Sequence, residues 1–396
     1  MYAILGVPVA FITILLLVRK KVSYGLSIIL GAVIIGIFCR FTVQDFFNAA
    51  INTLTDENTL TLTAIIIFIG ILGYSFKETG QINITIQELR NLSGGKTVLA
   101  ALPAAFGMLP IPGGALMSAP VIEPEADRLN LSPEHKTYIN IWFRHTLLVV
   151  FPLSAMIILS ANLAGISVYS MVLRLSPLFL VSVTTGYFVG LKPIKATYEQ
   201  EGSGSVLRAL YGLSPILLVI FLNIAFNVGF AFGLPLGILL LFIESRTPAK
   251  KALKMVKEGF SIHMALAMLG IMFFRQVVND STAVTDIMNL LEGSPTIVLL
   301  IGLPMVISLF TGLAVLSIGV CFPILFPLSP FSPPMFAAIL YTSAFCGYLA
   351  SPLHLCLILT REYFDCSLFK VYKRFLPSVG VLMVYNICVA LLFLQL

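Results

Sequence analysis

Arg144 is the residue of this chain whose setting most demands a chemical explanation. It lies in the apolar run Trp142-Phe143-Arg144-His145-Thr146-Leu147-Leu148-Val149-Val150-Phe151-Pro152. A guanidinium held in apolar surroundings is costly unless something pairs with it. The nearest acidic residues in sequence, Glu123, Glu125, Asp127 and Glu134, sit near the ends of apolar runs, as do Glu244, Glu362 and Asp365. An arginine so placed suits an anionic ligand gripped in bidentate fashion. The competing reading is an interfacial arginine near its helix start, paired to Glu134 or a lipid phosphate.

Two prolines bracket further candidates. Pro152 and Pro352 must each interrupt a helix and free a carbonyl about four residues earlier, near Leu148 and Tyr348. Those carbonyls, with the hydroxyls of Thr146, Thr342 and Ser343, form a possible Na⁺ set; the alternative is a proline kink patched by hydroxyls. His145 and His354 flank the two breaks and titrate in the range a proton-coupled process needs, although a hydrogen-bonded structural histidine accounts for either. A third interruption, Leu109-Pro110-Ile111-Pro112-Gly113-Gly114, must turn the chain. It leaves the amides near Ala115 to Ser118 without helical partners and able to hold an anion. Thr311-Gly312 and Ser317-Ile318-Gly319 occupy the corresponding place later in the chain. The expected substrate-binding set is therefore Arg144, Pro112, Gly113, Gly114, Ala115, Thr311, Gly312 and Ser317. The expected coupling set is Thr146, Leu148, Thr342, Ser343, His145 and His354. Either turn also reads as purely structural.

These residues need elements to carry them. The chain has 396 residues, 58% hydrophobic and 11% charged, and a mean hydropathy of +1.00. A soluble domain carries about 25% charged residues, so the composition is that of an all-α polytopic membrane protein. Ten apolar spans are expected, roughly at 2–18, 23–41, 59–76, 138–160, 167–191, 207–227, 229–243, 260–276, 334–360 and 376–396. Two longer stretches, about 97–122 and 295–326, are cut by Pro or Gly and read as re-entrant hairpins. With the N-terminus outside, all of the 24 basic residues fall on the cytoplasmic side except Arg40, Arg144, Arg174 and Arg275. The net charge of +6 thus reflects membrane orientation, and no nucleic-acid partner is implied. The six cysteines lie mostly in apolar runs and form no Cys-x-x-Cys, so they read as small hydrophobes. No basic leader segment precedes the first apolar run.

The chain also matches itself at an offset of about 200 residues. Pro152, Leu153, Ile158, Leu159, Ser167, Arg174 and Pro177 recur as Pro352, Leu353, Ile358, Leu359, Ser367, Arg374 and Pro377. Ser132-Pro133 recurs as Ser332-Pro333, Leu102-Pro103 as Leu303-Pro304, and Pro120-x-x-x-Pro124 as Pro323-x-x-x-Pro327. Two five-span halves with one hairpin each, joined through an odd span number, are inverted relative to one another, which is the plan of a secondary transporter. The halves are residues 1–192 and 207–396, with a polar linker at 193–206. The segments 78–95 and 276–293 read as interfacial helices, and 246–258 as a basic amphipathic helix or an ordinary charged loop.

This arrangement resembles the ion-transporter superfamily of secondary carriers, which includes gluconate, citrate, dicarboxylate and short-chain fatty acid permeases. Leu102-Pro103 through Pro124 with Ser132 through Pro177, and Leu303-Pro304 through Pro327 with Ser332 through Pro377, carry the resemblance. Within that superfamily the chain is similar to an uncharacterised ten-span prokaryotic permease family. The resemblance implies a homodimeric elevator transporter in a prokaryotic cytoplasmic membrane, with a scaffold from the early spans and a mobile domain from hairpins and broken helices. The Ser-Asn-Thr tips of sodium–dicarboxylate members are absent, which counts against dicarboxylate specificity and sodium coupling.

The function expected is ion-coupled uptake or release of a small organic anion, driven by Na⁺ or H⁺, with no cofactor beyond a possible Na⁺. Both termini are expected outside. A channel or passive exporter gated by the hairpins is the alternative. An embedded enzyme has no support in the sequence: neither a phosphate-binding Gly-Lys-Ser/Thr loop nor a His-Glu-x-x-His is present.

Overall fold

The computed structural model describes residues 2–92, 95–109, 114–195, 203–290 and 296–394. Pro112 and Gly113 of the first turn, and 196–202 of the linker, lie outside the described residues. Every regular element among the described residues is helical. The first half runs α1 (Tyr2–Arg19), α2 (Tyr24–Phe38), α3 (Val43–Thr55), α4 (Glu57–Thr79), α5 (Ile82–Leu92), α6 (Lys96–Gly107), α7 (Ala115–Arg128), α8 (Pro133–Thr146), α9 (Ala155–Leu163) and α10 (Val168–Gly186). After a short α11 (Val206–Gly212), the second half runs α12 (Ser214–Phe226), α13 (Phe230–Glu244), α14 (Ala249–Gly259), α15 (Ile262–Asp280), α16 (Ala283–Leu290), α17 (Ile297–Thr311), α18 (Ala314–Leu325), α19 (Pro333–Ala350), α20 (Leu355–Tyr363) and α21 (Leu368–Leu394).

Among the described residues each run holds ten α-helices, α1 to α10 and α12 to α21, and the packing between the runs is reciprocal. α2 packs on α15 while α13 packs on α4. α3 packs on α15 while α14 packs on α4. α7 packs on α20 while α18 packs on α9, and α10 on α19 while α21 packs on α8. Each half thus completes itself on elements of the other. The first arm of each hairpin packs chiefly within its own half, α6 against α7 and α8, α17 against α18 and α19, while the second arms α7 and α18 also meet the opposite half.

Local chemistry explains the element ends. Ser132 and Ser332 precede prolines at the first helical position of α8 and α19, where a missing N–H costs nothing. Thr42 and Asp45 form a reciprocal cap at the start of α3, and bonds from the Thr42 amide and hydroxyl hold the Asp45 carboxyl below the usual range. α4 stops at Gly80 and α17 at Gly312, both left-handed, with φ of 71° and 70°. α8 ends in a tight turn at Leu147–Val149 and α19 at Ala350, before Pro152 and Pro352 respectively.

Three features depart from the expected layout. The stretch 207–227 is not one span: α11 and α12 meet at 81°, because Pro215 opens α12 while α11 lies on α5. There the Thr85 hydroxyl donates to the Ala209 carbonyl at 2.8 Å, and a methyl on Gly212 would lie 2.3 Å from that hydroxyl oxygen. α3, at 43–55, is a helix that the span reading did not include. Among the described residues, five helices are long and apolar enough to cross a bilayer, six if the bent pair is counted, against the ten spans expected. The apolar runs at Leu5–Arg19, Tyr24–Phe38 and Phe230–Glu244 are shorter helices. The segments 82–92 and 283–290 before the hairpins, and 249–259, are helical as expected. With its apolar helices, the chain is an all-α integral membrane protein.

Candidate functional site

α8 and α19 are buried along nearly their whole length, despite the polar sequence of α8. They bring the expected residues to the centre of the molecule. Arg144 is 5% exposed. Its guanidinium donates to the Phe106 carbonyl at 2.7 Å and the Leu109 carbonyl at 3.4 Å, at the end of hairpin arm α6. α6 comes this close because Gly107 has no side chain: a methyl there would lie 2.1 Å from the Arg144 carbonyl oxygen. Glu134, the acid nearest Arg144 as a sequence alternative, pairs with Lys370 at 3.3 Å instead. Arg144 is therefore a cation that closes a helix C-terminus, where the dipole favours it.

The second tip is built differently. The Ser351 hydroxyl donates to the Leu309 carbonyl at 2.6 Å. Gly312 sits on the break after α19, so close that a methyl would lie 2.7 Å from the Leu353 carbonyl oxygen. The Thr311 hydroxyl donates to Ile307 at 2.7 Å, and that of Ser317 to Pro304 at 2.7 Å, inside the hairpin. Gly114 and Ala115 open α7, where the amides of Met117 and Ser118 already donate to the Gly114 carbonyl.

The coupling candidates divide into two groups. The hydroxyls of Thr146, Thr342 and Ser343 donate to carbonyls of their own helices at 2.9, 2.7 and 3.0 Å. The Leu148 carbonyl accepts from Tyr341 at 2.8 Å, a bond reaching from the second half to the first break. The two histidines do meet: His145 Nε2 and His354 Nε2 are 3.2 Å apart, and the Tyr348 hydroxyl is 3.2 Å from His145 Nε2. His145 thus reaches the second break as Tyr341 reaches the first.

Two features are absent from the sequence expectation. Asn140 on α8 accepts from Ser118 at 2.6 Å and donates to the Ala115 carbonyl at 2.9 Å and to Thr360 at 3.1 Å. It joins the first hairpin to α20; a lone Asn in an apolar run was the only signal for it. A cavity of about 570 Å³ lies between α10, α19 and α21, lined by Arg174, Ala338, Thr342, Tyr385, Asn386 and Phe393 among others. Its counterpart in the first half is filled. Tyr138 stacks on Trp142 at 5.6 Å, and Phe375 meets their rings edge-on at 5.9 and 5.7 Å.

The sequence profile of the family described as "Protein of unknown function (DUF401)" matches residues 5–394. No curated protein matches the chain. Among solved structures, the fold is similar to that of the YdaH transporter of Alcanivorax borkumensis, with a TM-score of 0.66 over 87% of each chain at 14% sequence identity.

Proposed function

The chain belongs to the DUF401 family, and on that premise we propose that it is a secondary active transporter of a small organic anion. The observation that carries this reading is the pair of helical hairpins seated against two proline breaks, with a buried guanidinium at one tip only. A hydroxyl suffices to close the equivalent helix end in the other half, as Ser351 shows. A guanidinium has five N–H donors, and the bonds to the Phe106 and Leu109 carbonyls engage two of its nitrogens. The charge at Arg144 is thus more than a cap requires, and a carboxylate is the ligand that would use it. The first-turn amides around Gly114 and Ala115 would complete the grip.

The two halves act in this reading as inverted repeats, 1–192 and 207–396, with the hairpins and broken helices moving as an elevator against α1, α2, α12 and α13. The working unit is a homodimer in a prokaryotic cytoplasmic membrane, both termini outside. Coupling is to H⁺ or Na⁺. The geometry favours H⁺, because the two histidines meet while the hydroxyls expected to hold Na⁺ bond their own helices. A likeness in fold to a solved transporter supports the class and leaves the anion to chemistry.

Purified protein in proteoliposomes, given labelled mono- and dicarboxylates under imposed pH or Na⁺ gradients, tests this. Saturable accumulation above equilibrium is expected. Folded protein that accumulates no anion under either gradient, or that gives single-channel current steps, would overturn the reading.

A further inference from the structure

Cys356, read from sequence as a small hydrophobe, stands beside the two central histidines. One ligand atom each from His145, His354 and Cys356 lies within 4.8 Å of the others, and all three residues are buried. They come from both halves: His145 from the end of α8, His354 from the break before α20, Cys356 from the first turn of α20. The Tyr348 hydroxyl faces both His145 and the Cys356 thiol.

The hydrogen bonds leave this cluster unsatisfied by protein alone. His145 Nδ1 lies 2.7 Å from the Ile141 carbonyl, so it carries the proton and Nε2 presents a lone pair. His354 then has two choices. With its proton on Nε2 it donates to His145, and its Nδ1 becomes a buried acceptor with no hydrogen-bond partner. With its proton on Nδ1, that N–H has no partner within hydrogen-bond distance, although the Leu349 carbonyl lies near the ring, and two nitrogen lone pairs face each other at 3.2 Å. A buried polar atom left unmatched is costly. A cation between the two Nε2 atoms satisfies the facing lone pairs of the second arrangement.

We propose that His145, His354 and Cys356 form a binding site for a borderline-soft divalent cation of the Zn²⁺ class, spanning the two halves at the central breaks. Two imidazoles and a thiolate are the donors such an ion selects. A tetrahedral ion with bonds of about 2.0–2.1 Å to nitrogen holds its two nitrogens about 3.3 Å apart, and the observed separation is 3.2 Å. A bond of about 2.3 Å to sulfur requires the thiol about 3.6 Å from each nitrogen, and the three ligand atoms already lie within 4.8 Å of one another. The bond from His145 Nδ1 to a backbone carbonyl is the outer contact that orients a metal-bound imidazole. The Tyr348 hydroxyl, 3.2 Å from His145 Nε2, is a neighbouring oxygen that could stand at the fourth position. Binding replaces the thiol proton with the metal and releases one proton per ion. The charged group acting on this cluster is Arg144, whose guanidinium bonds the Phe106 and Leu109 carbonyls; the thiolate offsets one of the ion's two charges.

A bound ion ties α8 to α20 and opposes any motion that separates the breaks. The site shares its histidines with the proposed proton coupling, so the test uses no transport readout and its failure is distinct from failure of the carrier reading. Full-length protein in detergent is titrated with Co²⁺, a spectroscopic substitute for Zn²⁺. One ion per chain is expected, with a thiolate-to-cobalt charge-transfer band, tetrahedral ligand-field bands, displacement by Zn²⁺ and a rise in Tm. Cys356→Ser should lose the charge-transfer band, and Cys356→Ser and His354→Asn should each weaken Co²⁺ binding at least about tenfold. Wild-type protein without a thiolate band overturns the proposal, whatever the variants do. So does a band that survives in Cys356→Ser, or Co²⁺ affinity unchanged in His354→Asn.

Discussion

The two hairpin tips meet the same requirement with different chemistry. At the first, Arg144 closes the Phe106 and Leu109 carbonyls; at the second, Ser351 closes that of Leu309, and Ala344 stands where the repeat would put an arginine. Behind the first tip, Tyr138, Trp142 and Phe375 fill the space between helices. Behind the second, Ala338, Thr342 and Leu175 occupy the matching positions and line the 570 Å³ cavity. The scaffold is shared, whereas charge and bulk are not. Shared features are therefore assigned to the architecture and unshared ones to ligand choice.

The aromatic stack gives the largest expected contrast. Trp142→Ala should cost about 3–5 kcal/mol, the range for a buried Trp truncation, whereas Thr342→Ala should cost under about 1 kcal/mol. Thermal unfolding in detergent compares them, and equal losses would show that the first half is no more tightly filled. The tips come next. Arg144→Ala removes hydrogen bonds from a charged donor, about 1.5–3 kcal/mol, and should abolish anion uptake; Ser351→Ala removes a neutral one, about 1 kcal/mol, and should leave uptake measurable. Similar losses of uptake in both would dissolve the distinction between site and cap.

The glycine contacts should instead behave alike. A methyl on Gly107 would lie 2.1 Å from the Arg144 carbonyl oxygen, and one on Gly347 would lie 2.1 Å from that of Met305. Both oxygens belong to backbone that cannot swing aside, so each Gly→Ala should cost about 1–3 kcal/mol or more. A drop in Tm confined to one of them would break the structural equivalence of the halves. Smallest of all is Ala338→Leu, which projects into the cavity and should change stability by less than about 0.5 kcal/mol, seen as an unchanged Tm.

Local features were legible in the sequence. Pro152 and Pro352 fall at breaks between helices, α6 packs on α7 and α17 on α18 where hairpins were expected, and Ser132-Pro133 and Ser332-Pro333 start α8 and α19. Each follows from a residue acting on its own few neighbours. What escaped depends on partners far apart in the chain. Tyr341 claims the Leu148 carbonyl from 193 residues away, and His145 finds His354 across 209. Cys356 looked inert because it lies in an apolar run and belongs to no Cys-x-x-Cys. The 207–227 run reads as one apolar span although it holds Ser214-Pro215, and the packing of α11 on α5 adds the long-range reason for its bend.

The most direct test of the central claim compares wild type with Arg144→Gln in matched proteoliposomes. Both variants must first show the same melting profile and monodispersity in detergent. Under an inward pH or Na⁺ gradient, wild type should accumulate a labelled carboxylate saturably, and Arg144→Gln should fall to the level of empty vesicles. Equal carboxylate accumulation by the two proteins would contradict the assignment of Arg144 as the anion-binding cation.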